Sequence, residues 1–220
     1  MNERPSPSKR VHPPQPAGYD APEQFQYPSG VLFVLPVPLA LLAALIFGGL
    51  FVIVQDEILH WLFIEPVLAG VGPIPGALIT LVVPFGIALF VTAVTHEFLH
   101  AIAFRLYGYD VTYGVAPGVG GIYTVALDQF QRCEELVVIA LAPAIVITLV
   151  CLPLLAATPL VALTALFVLL LNTSGAAGDW YLAWRCLRLP RGTLIYDSSV
   201  GQSYIYEPSN SSSHRKMPSR

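Results

Sequence analysis

Residues 31–54 restrict the possible folds of this chain more than any other stretch. The stretch consists of apolar residues, glycine and proline, without a single charge. At 1.5 Å per residue, a helix of this length crosses the roughly 30 Å of hydrocarbon in a bilayer. Charged residues make up only 11% of the chain, against about 25% in an ordinary soluble domain. The sequence therefore predicts an integral membrane protein.

Three further apolar stretches, residues 77–106, 136–156 and 160–187, bring the prediction to about four transmembrane helices. The predicted fold class is all-α integral membrane. Residues 108–135 between spans two and three are rich in glycine and contain short alternating stretches. This pattern predicts a short β-hairpin-like insertion. A flexible loop is the alternative interpretation.

Both ends of the chain are polar. Residues 1–30 are rich in proline and lack the apolar core of a secretory signal, and residues 191–220 include a run of Ser and Asn. We expect a disordered N-terminal arm over residues 1–30 and a disordered C-terminal tail over residues 191–220. The folded transmembrane domain is predicted to comprise residues 31–190.

The basic residues predict the orientation in the membrane. Every Lys and Arg precedes span one, lies between the last residues of span two and the start of span three, or lies in the last residues of span four or beyond it. Since cytoplasmic loops carry the excess of positive charge, we expect both termini and the hairpin-like insertion to be cytoplasmic, with the protein in the cell membrane. The net charge of −3 and the dispersed basic residues argue against nucleic acid as a partner.

The motif His96-Glu97-Phe98-Leu99-His100 lies near the end of span two. Residues four apart share one face of a helix, so His96 and His100 can present two imidazole nitrogens to one Zn²⁺ ion. Glu97 can then act as the general base that activates a zinc-bound water. The alternative is that these polar side chains lie at the membrane interface and bond to their neighbours.

Catalytic zinc needs a third protein ligand, and Asp179 in span four is the best candidate. If spans two and four run in the same direction, His96 and Asp179 reach the same depth at about 1.5 Å per residue. Asp179 could instead cap its helix or pair with Arg185. Glu134 and Glu135, at the start of span three, are the alternative ligands.

Three segments carry a resemblance to a known family: HEFLH in span two, LAPAIVITL in span three and NTSGAAGDW in span four. Together they resemble the putative zincin peptidases, a family related to site-2 protease-like intramembrane zinc metallopeptidases. The resemblance covers residues 85–187. It implies that His96, His100 and Asp179 bind zinc, that Glu97 is the general base, and that Asn172 supports the site. The Asn-Pro and Asp-Gly steps of site-2 proteases are absent, since Trp180 follows Asp179.

These features favour a membrane-embedded zinc metallopeptidase that hydrolyses peptide bonds in or near the bilayer. Its expected partners are the lipid bilayer and a peptide or membrane-protein substrate. A non-proteolytic membrane protein with a structural or binding metal site is the alternative, and a zinc hydrolase acting on lipids or small amides is a third class.

Overall fold

Helices carry the His96-Glu97-Phe98-Leu99-His100 motif and Asp179. Two small antiparallel sheets among the described residues lie against these helices. The computed structural model describes residues 14–58, 60–70, 73–116 and 121–209. Residues 1–13 of the predicted arm and 210–220 of the predicted tail lie outside the described residues.

The first apolar stretch is helical from end to end. It consists of α1 (Ser29–Val34), α2 (Pro36–Ala43), a π-helical segment (Ala44–Gly48) and α3 (Gly49–Val54). A proline is tolerated in the first turn of a helix, where an unbonded N–H is lost anyway, and Pro36 begins α2. A second π-helical segment (His60–Ile64) and the short α4 (Glu65–Leu68) follow.

Four more helices complete the helical layer: α5 (Pro73–Leu106), α6 (Cys133–Leu154), α7 (Pro159–Gly175) and α8 (Ala177–Arg188). Within the described ranges, three helical stretches are long and apolar enough to cross a membrane, namely Gly30–Val54, Leu78–Leu106 and Cys133–Leu154. The fourth predicted span is not straight, because α7 and α8 meet at an angle of 46°. The chain therefore has three candidate spans, or four if the bent pair is one span.

The predicted hairpin between spans two and three is confirmed. Strands β2 (Thr112–Ala116) and β3 (Gly121–Val125) pair antiparallel, with Thr112 opposite Val125. The Tyr123 ring lies against Gly114, where any Cβ atom would overlap the phenol. Glycine at position 114 thus allows the ring to cross the neighbouring strand.

A second sheet corrects the predicted all-α fold and the predicted disorder of both ends. Its four antiparallel strands, in spatial order, are β1 (Glu23–Phe25), β6 (Gln202–Tyr206), β5 (Leu194–Ser199) and β4 (Phe130–Arg132). Parts of the arm and of the tail are therefore ordered. The physical reason is burial: Ile195 and Ile205 face each other in the sheet and are both only 3% exposed.

Two clusters of buried side chains hold the layers together. One lies among α3, α5, α6 and α7 and includes Phe51, Ile147 and Leu169. The other joins the ends of α5, α6 and α8 to the four-stranded sheet and includes Phe104 and Ile205. The sheet is thus packed against the helices at the end where α5 terminates.

We expect the four-stranded sheet to protect its backbone amides from hydrogen exchange. In hydrogen-exchange mass spectrometry of the full chain, peptides from β5 and β6 should exchange slowly because their N–H groups are paired in the sheet. Ile205→Asp should abolish this protection, since it buries an unpaired carboxylate. Gln24→Ala, at an exposed position of β1, is the control and should retain it. If the wild-type amides of β5 and β6 exchanged at the rate of an unstructured peptide, the pairing of these strands would be contradicted.

Candidate metal centre

The two histidines of the motif face each other from successive turns of α5. Their Nε2 atoms are 3.2 Å apart. The Nδ1 atom of His100 lies 3.0 Å from the main-chain oxygen of Ile139 in α6, and that of His96 lies 3.0 Å from Oδ1 of Asn172 in α7. Each Nδ1–H thus has an acceptor. With Nδ1 as the donor of each ring, Nε2 is the nitrogen available to bind a metal.

Asp179 lies in the first turn of α8, directly after the bend between α7 and α8. Its Oδ2 atom is 3.0 Å from Nε2 of His96, and its Oδ1 atom is 3.4 Å from Nε2 of His100. The structure therefore brings together His96, His100 and Asp179, the three residues that the sequence predicts as ligands.

The spacing of the three groups fits a zinc ion. With Zn–N and Zn–O distances of about 2.0–2.2 Å, two ligand atoms of a tetrahedral site lie roughly 3.3 Å apart. The two Nε2 atoms are 3.2 Å apart, His96 Nε2 lies 3.0 Å from Asp179 Oδ2, and His100 Nε2 lies 3.4 Å from the other oxygen, Oδ1. One ligand atom from each residue lies within 4.8 Å of the others. Two imidazoles and a carboxylate also form a donor set that zinc prefers. This group could hold a metal ion and leave a fourth position for water or substrate.

Residues 89–194 match the family model described as "Putative zincin peptidase". The match includes the HEFLH motif of α5, Asn172 and Asp179, and it supports the family name and a zinc metallopeptidase. The relationship to site-2 proteases stays a prediction. Neither the curated proteins nor the solved structures yield a match to the chain. In zincin peptidases the metal is zinc, which agrees with the donor set of the site.

Asn172 contacts the site through His96 and is only 1% exposed. Its Oδ1 accepts the Nδ1–H bond of His96, while its Nδ2 has no hydrogen-bond partner among the described residues. Groups that bond the outer nitrogen of a metal-ligating histidine set the orientation of its ring. If His96 binds a metal, this contact would orient its imidazole ring.

The alternative ligands make other contacts. Glu134 accepts a hydrogen bond from the main-chain N–H of Gly192 at 2.8 Å, and Glu135 accepts one from the hydroxyl of Tyr109. The first bond ties α6 to the turn before β5, and the second ties it to the segment before β2. Neither contact brings these carboxylates to the histidines.

Glu97 follows His96 on α5, and its side chain lines a cavity between this helix and the β2–β3 hairpin. The Thr124 hydroxyl donates a hydrogen bond of 3.1 Å to the main-chain oxygen of Glu97. Tyr123 and Thr124 line this cavity and also the neighbouring cavity that contains His100 and Asp179. The hairpin thus borders both cavities.

The cavity at the metal centre has a volume of about 210 Å³ and contains residues that sequence reasoning missed. Tyr27 from the N-terminal arm lines it. The Tyr27 ring packs against the rings of Phe25 and Tyr181. Burial raises the pKa of the Tyr27 phenol, and the Asp179 carboxylate adds to this rise. The phenol therefore stays protonated as a hydrogen-bond donor. No local motif marks Tyr27, because only folding brings the arm to the site.

Metal analysis tests the three ligands. Purified wild-type protein should retain stoichiometric zinc after dialysis at a defined free-zinc concentration, as measured by elemental mass spectrometry. His96→Ala should lose the metal, and Asp179→Asn should bind it more weakly, because each removes one of three protein ligands. Glu65→Gln, at an exposed position of α4, is the control and should retain zinc. Full retention in Asp179→Asn would remove Asp179 from the ligand set.

Asn172→Leu tests the positioning role. We expect zinc affinity to fall by about 10- to 100-fold, the usual loss when the partner of a ligating histidine is removed. The unfolding temperature should change little, because leucine has a similar shape and removes the unpartnered Nδ2 group, which offsets part of the cost of leaving the His96 Nδ1–H without its acceptor. The matched control is Thr92→Val on α5, because the Thr92 hydroxyl is also buried without a partner among the described residues. Equal losses of affinity in both variants would contradict the positioning role.

Proposed function

We propose that this protein is a membrane-embedded zinc metallopeptidase that hydrolyses peptide bonds in or near the bilayer. The observation that carries the proposal is the convergence of two imidazole Nε2 atoms and one carboxylate at distances of 3.0–3.4 Å. The family match over residues 89–194 supports the same class of enzyme.

In this proposal, His96, His100 and Asp179 hold the zinc ion. When bound, zinc supplies a Lewis acid that polarises the scissile carbonyl and lowers the pKa of water toward about 7. The carboxylate of Glu97 takes a proton from the attacking water and returns it to the leaving amine. Asn172 and the Ile139 carbonyl keep the two imidazole rings oriented by accepting their Nδ1–H bonds.

The outward faces of the helices support the membrane location. Large apolar side chains project from each candidate span; Phe33 is 80% exposed, Phe90 71% and Leu149 67%. Soluble monomers rarely expose contiguous apolar surface of this extent. A bilayer accommodates such faces, because the helix has already satisfied its own backbone hydrogen bonds.

The four-stranded sheet supports four spans with both termini on one side. Strand β1 precedes the first span, β4 precedes α6, and β5 and β6 follow α8. Because these strands are hydrogen-bonded to one another, they share one side of any membrane. An even number of crossings must then separate β4 from β5, so α7 and α8 count together as one crossing. The distribution of basic residues favours the cytoplasm as this side, and we infer that the membrane is the cell membrane.

Glu97→Gln distinguishes a peptidase from a membrane protein with a structural or binding metal site. Under the proposal, Glu97→Gln retains zinc but cleaves casein, an unfolded protein substrate, about 10²- to 10⁴-fold more slowly, because the amide cannot accept the proton. Cleavage is measured by peptide mass spectrometry on purified protein in detergent, with Glu65→Gln as the control of unchanged rate. Zinc bound without cleavage by the wild-type protein would favour the binding-site alternative.

A further inference from the structure

The cavity at the metal centre has a second polar wall, which is contributed by the four-stranded sheet. His100 and Asp179 line it from the helices, and Gln131, Asp197, Ser199 and Ser203 line it from β4, β5 and β6. Its volume of about 210 Å³ is many times the roughly 10–15 Å³ that one water needs. The space can therefore admit part of a substrate beside the metal ligands.

The second wall presents hydrogen-bond acceptors. The Ser203 hydroxyl donates to Oδ1 of Asp197, and Nε2 of Gln131 donates to Oδ2 of Asp197 at 2.9 Å. A second bond from Nε2 of Gln131 reaches the main-chain oxygen of Ala126, also at 2.9 Å. Gln131 is fully buried, and its Oε1 has no hydrogen-bond partner among the described residues. These bonds fix the Asp197 carboxyl and leave an acceptor on Gln131 unsatisfied.

No Lys or Arg is among the described residues that line this cavity. Arg105 and Arg188 lie over the rings of Tyr113 and Trp184, outside the lining. Burial raises the pKa of the Asp197 carboxyl, while the bonds from Ser203 and Gln131 lower it. The donors to Asp197 from Ser203 and Gln131 are neutral, and Oε1 of Gln131 has no donor among the described residues. A cationic donor would compensate the buried carboxylate and pair the free acceptor together.

We propose that Asp197 and Gln131 form a subsite that binds the Lys or Arg side chain of a peptide substrate beside the scissile bond. The cavity also has apolar lining residues, including Phe104, Leu136 and Ile195, which suit the methylene stem of such a side chain. The inference rests on the proposed peptidase function, since it places the substrate across the metal centre.

Two hydroxamates of matched shape test the subsite by binding alone. Nα-acetyl-lysine hydroxamate and Nα-acetyl-norleucine hydroxamate share the metal-binding group and differ in the terminal ammonium. In calorimetric titrations of the zinc-loaded full chain in detergent, the lysine compound should bind on the order of 10- to 100-fold more tightly, the usual gain from a hydrogen bond to a charged group. A third compound, Nα-acetyl-glutamate α-hydroxamate, should bind more weakly than the norleucine compound, because the Asp197 carboxylate repels its side-chain carboxylate.

Asp197→Asn should remove the preference for lysine and leave the affinity for the norleucine compound unchanged. The matched control is Asp128→Asn, because Asp128 bonds to Tyr196 in the same region and is not among the described residues of the cavity lining. It should keep the preference. If Asp197→Asn fails to fold, the affinities of the three compounds for the wild-type protein still test the subsite.

The failures of the two proposals are distinguishable. Equal affinities of the lysine and norleucine compounds for the wild-type protein would overturn the subsite and leave the zinc centre intact. Absence of binding by all three compounds would overturn the zinc centre, and the subsite would fall with it.

Discussion

The structure depends on the contact of Asp179 with His96 and His100. Three polar side chains among apolar helices are costly unless they share partners or a metal. Here the Asp179 carboxylate meets both imidazoles, while Asn172 and the Ile139 carbonyl accept the remaining ring protons. Because these partners lie on α5, α6, α7 and α8, the same group that could bind zinc also sets how the helices pack. Any change in that packing would alter the distances between the ligands.

The bend between α7 and α8 makes this contact possible. The chain turns by 46° at Ala176, where the neighbours are Gly175, Ala177 and Gly178. Ala176 is fully buried, and small side chains let the backbone turn close to its neighbours. After the bend, Asp179 lies in the first turn of α8, where the positive end of the helix dipole favours a carboxylate. A straight helix would not place Asp179 in a first turn.

The two sheets give the metal centre its surroundings. The β2–β3 hairpin lies over α5 and bonds to the main chain at Glu97, and the four-stranded sheet closes the cavity from the other side. The four-stranded sheet draws on segments far apart in the chain, so the space beside the ligands exists only in the folded protein. That space is where the proposed peptidase would hold its substrate and where Asp197 would select it.

Local patterns in the sequence determined the apolar helices, the hairpin and the ligand candidates. Length and the absence of charge mark a span, and the four-residue spacing of His96 and His100 places them on one helix face. Only the tertiary structure decided that Asp179 reaches both histidines, and that Glu134 and Glu135 bond elsewhere. It also decided that β1 pairs with β6 and β4 with β5, which brings Tyr27 and Asp197 to the cavity. The physical reason is that the paired strands lie far apart in the sequence. They are short and mostly polar, so their stability comes from long-range pairing and burial, which a local sequence pattern does not predict.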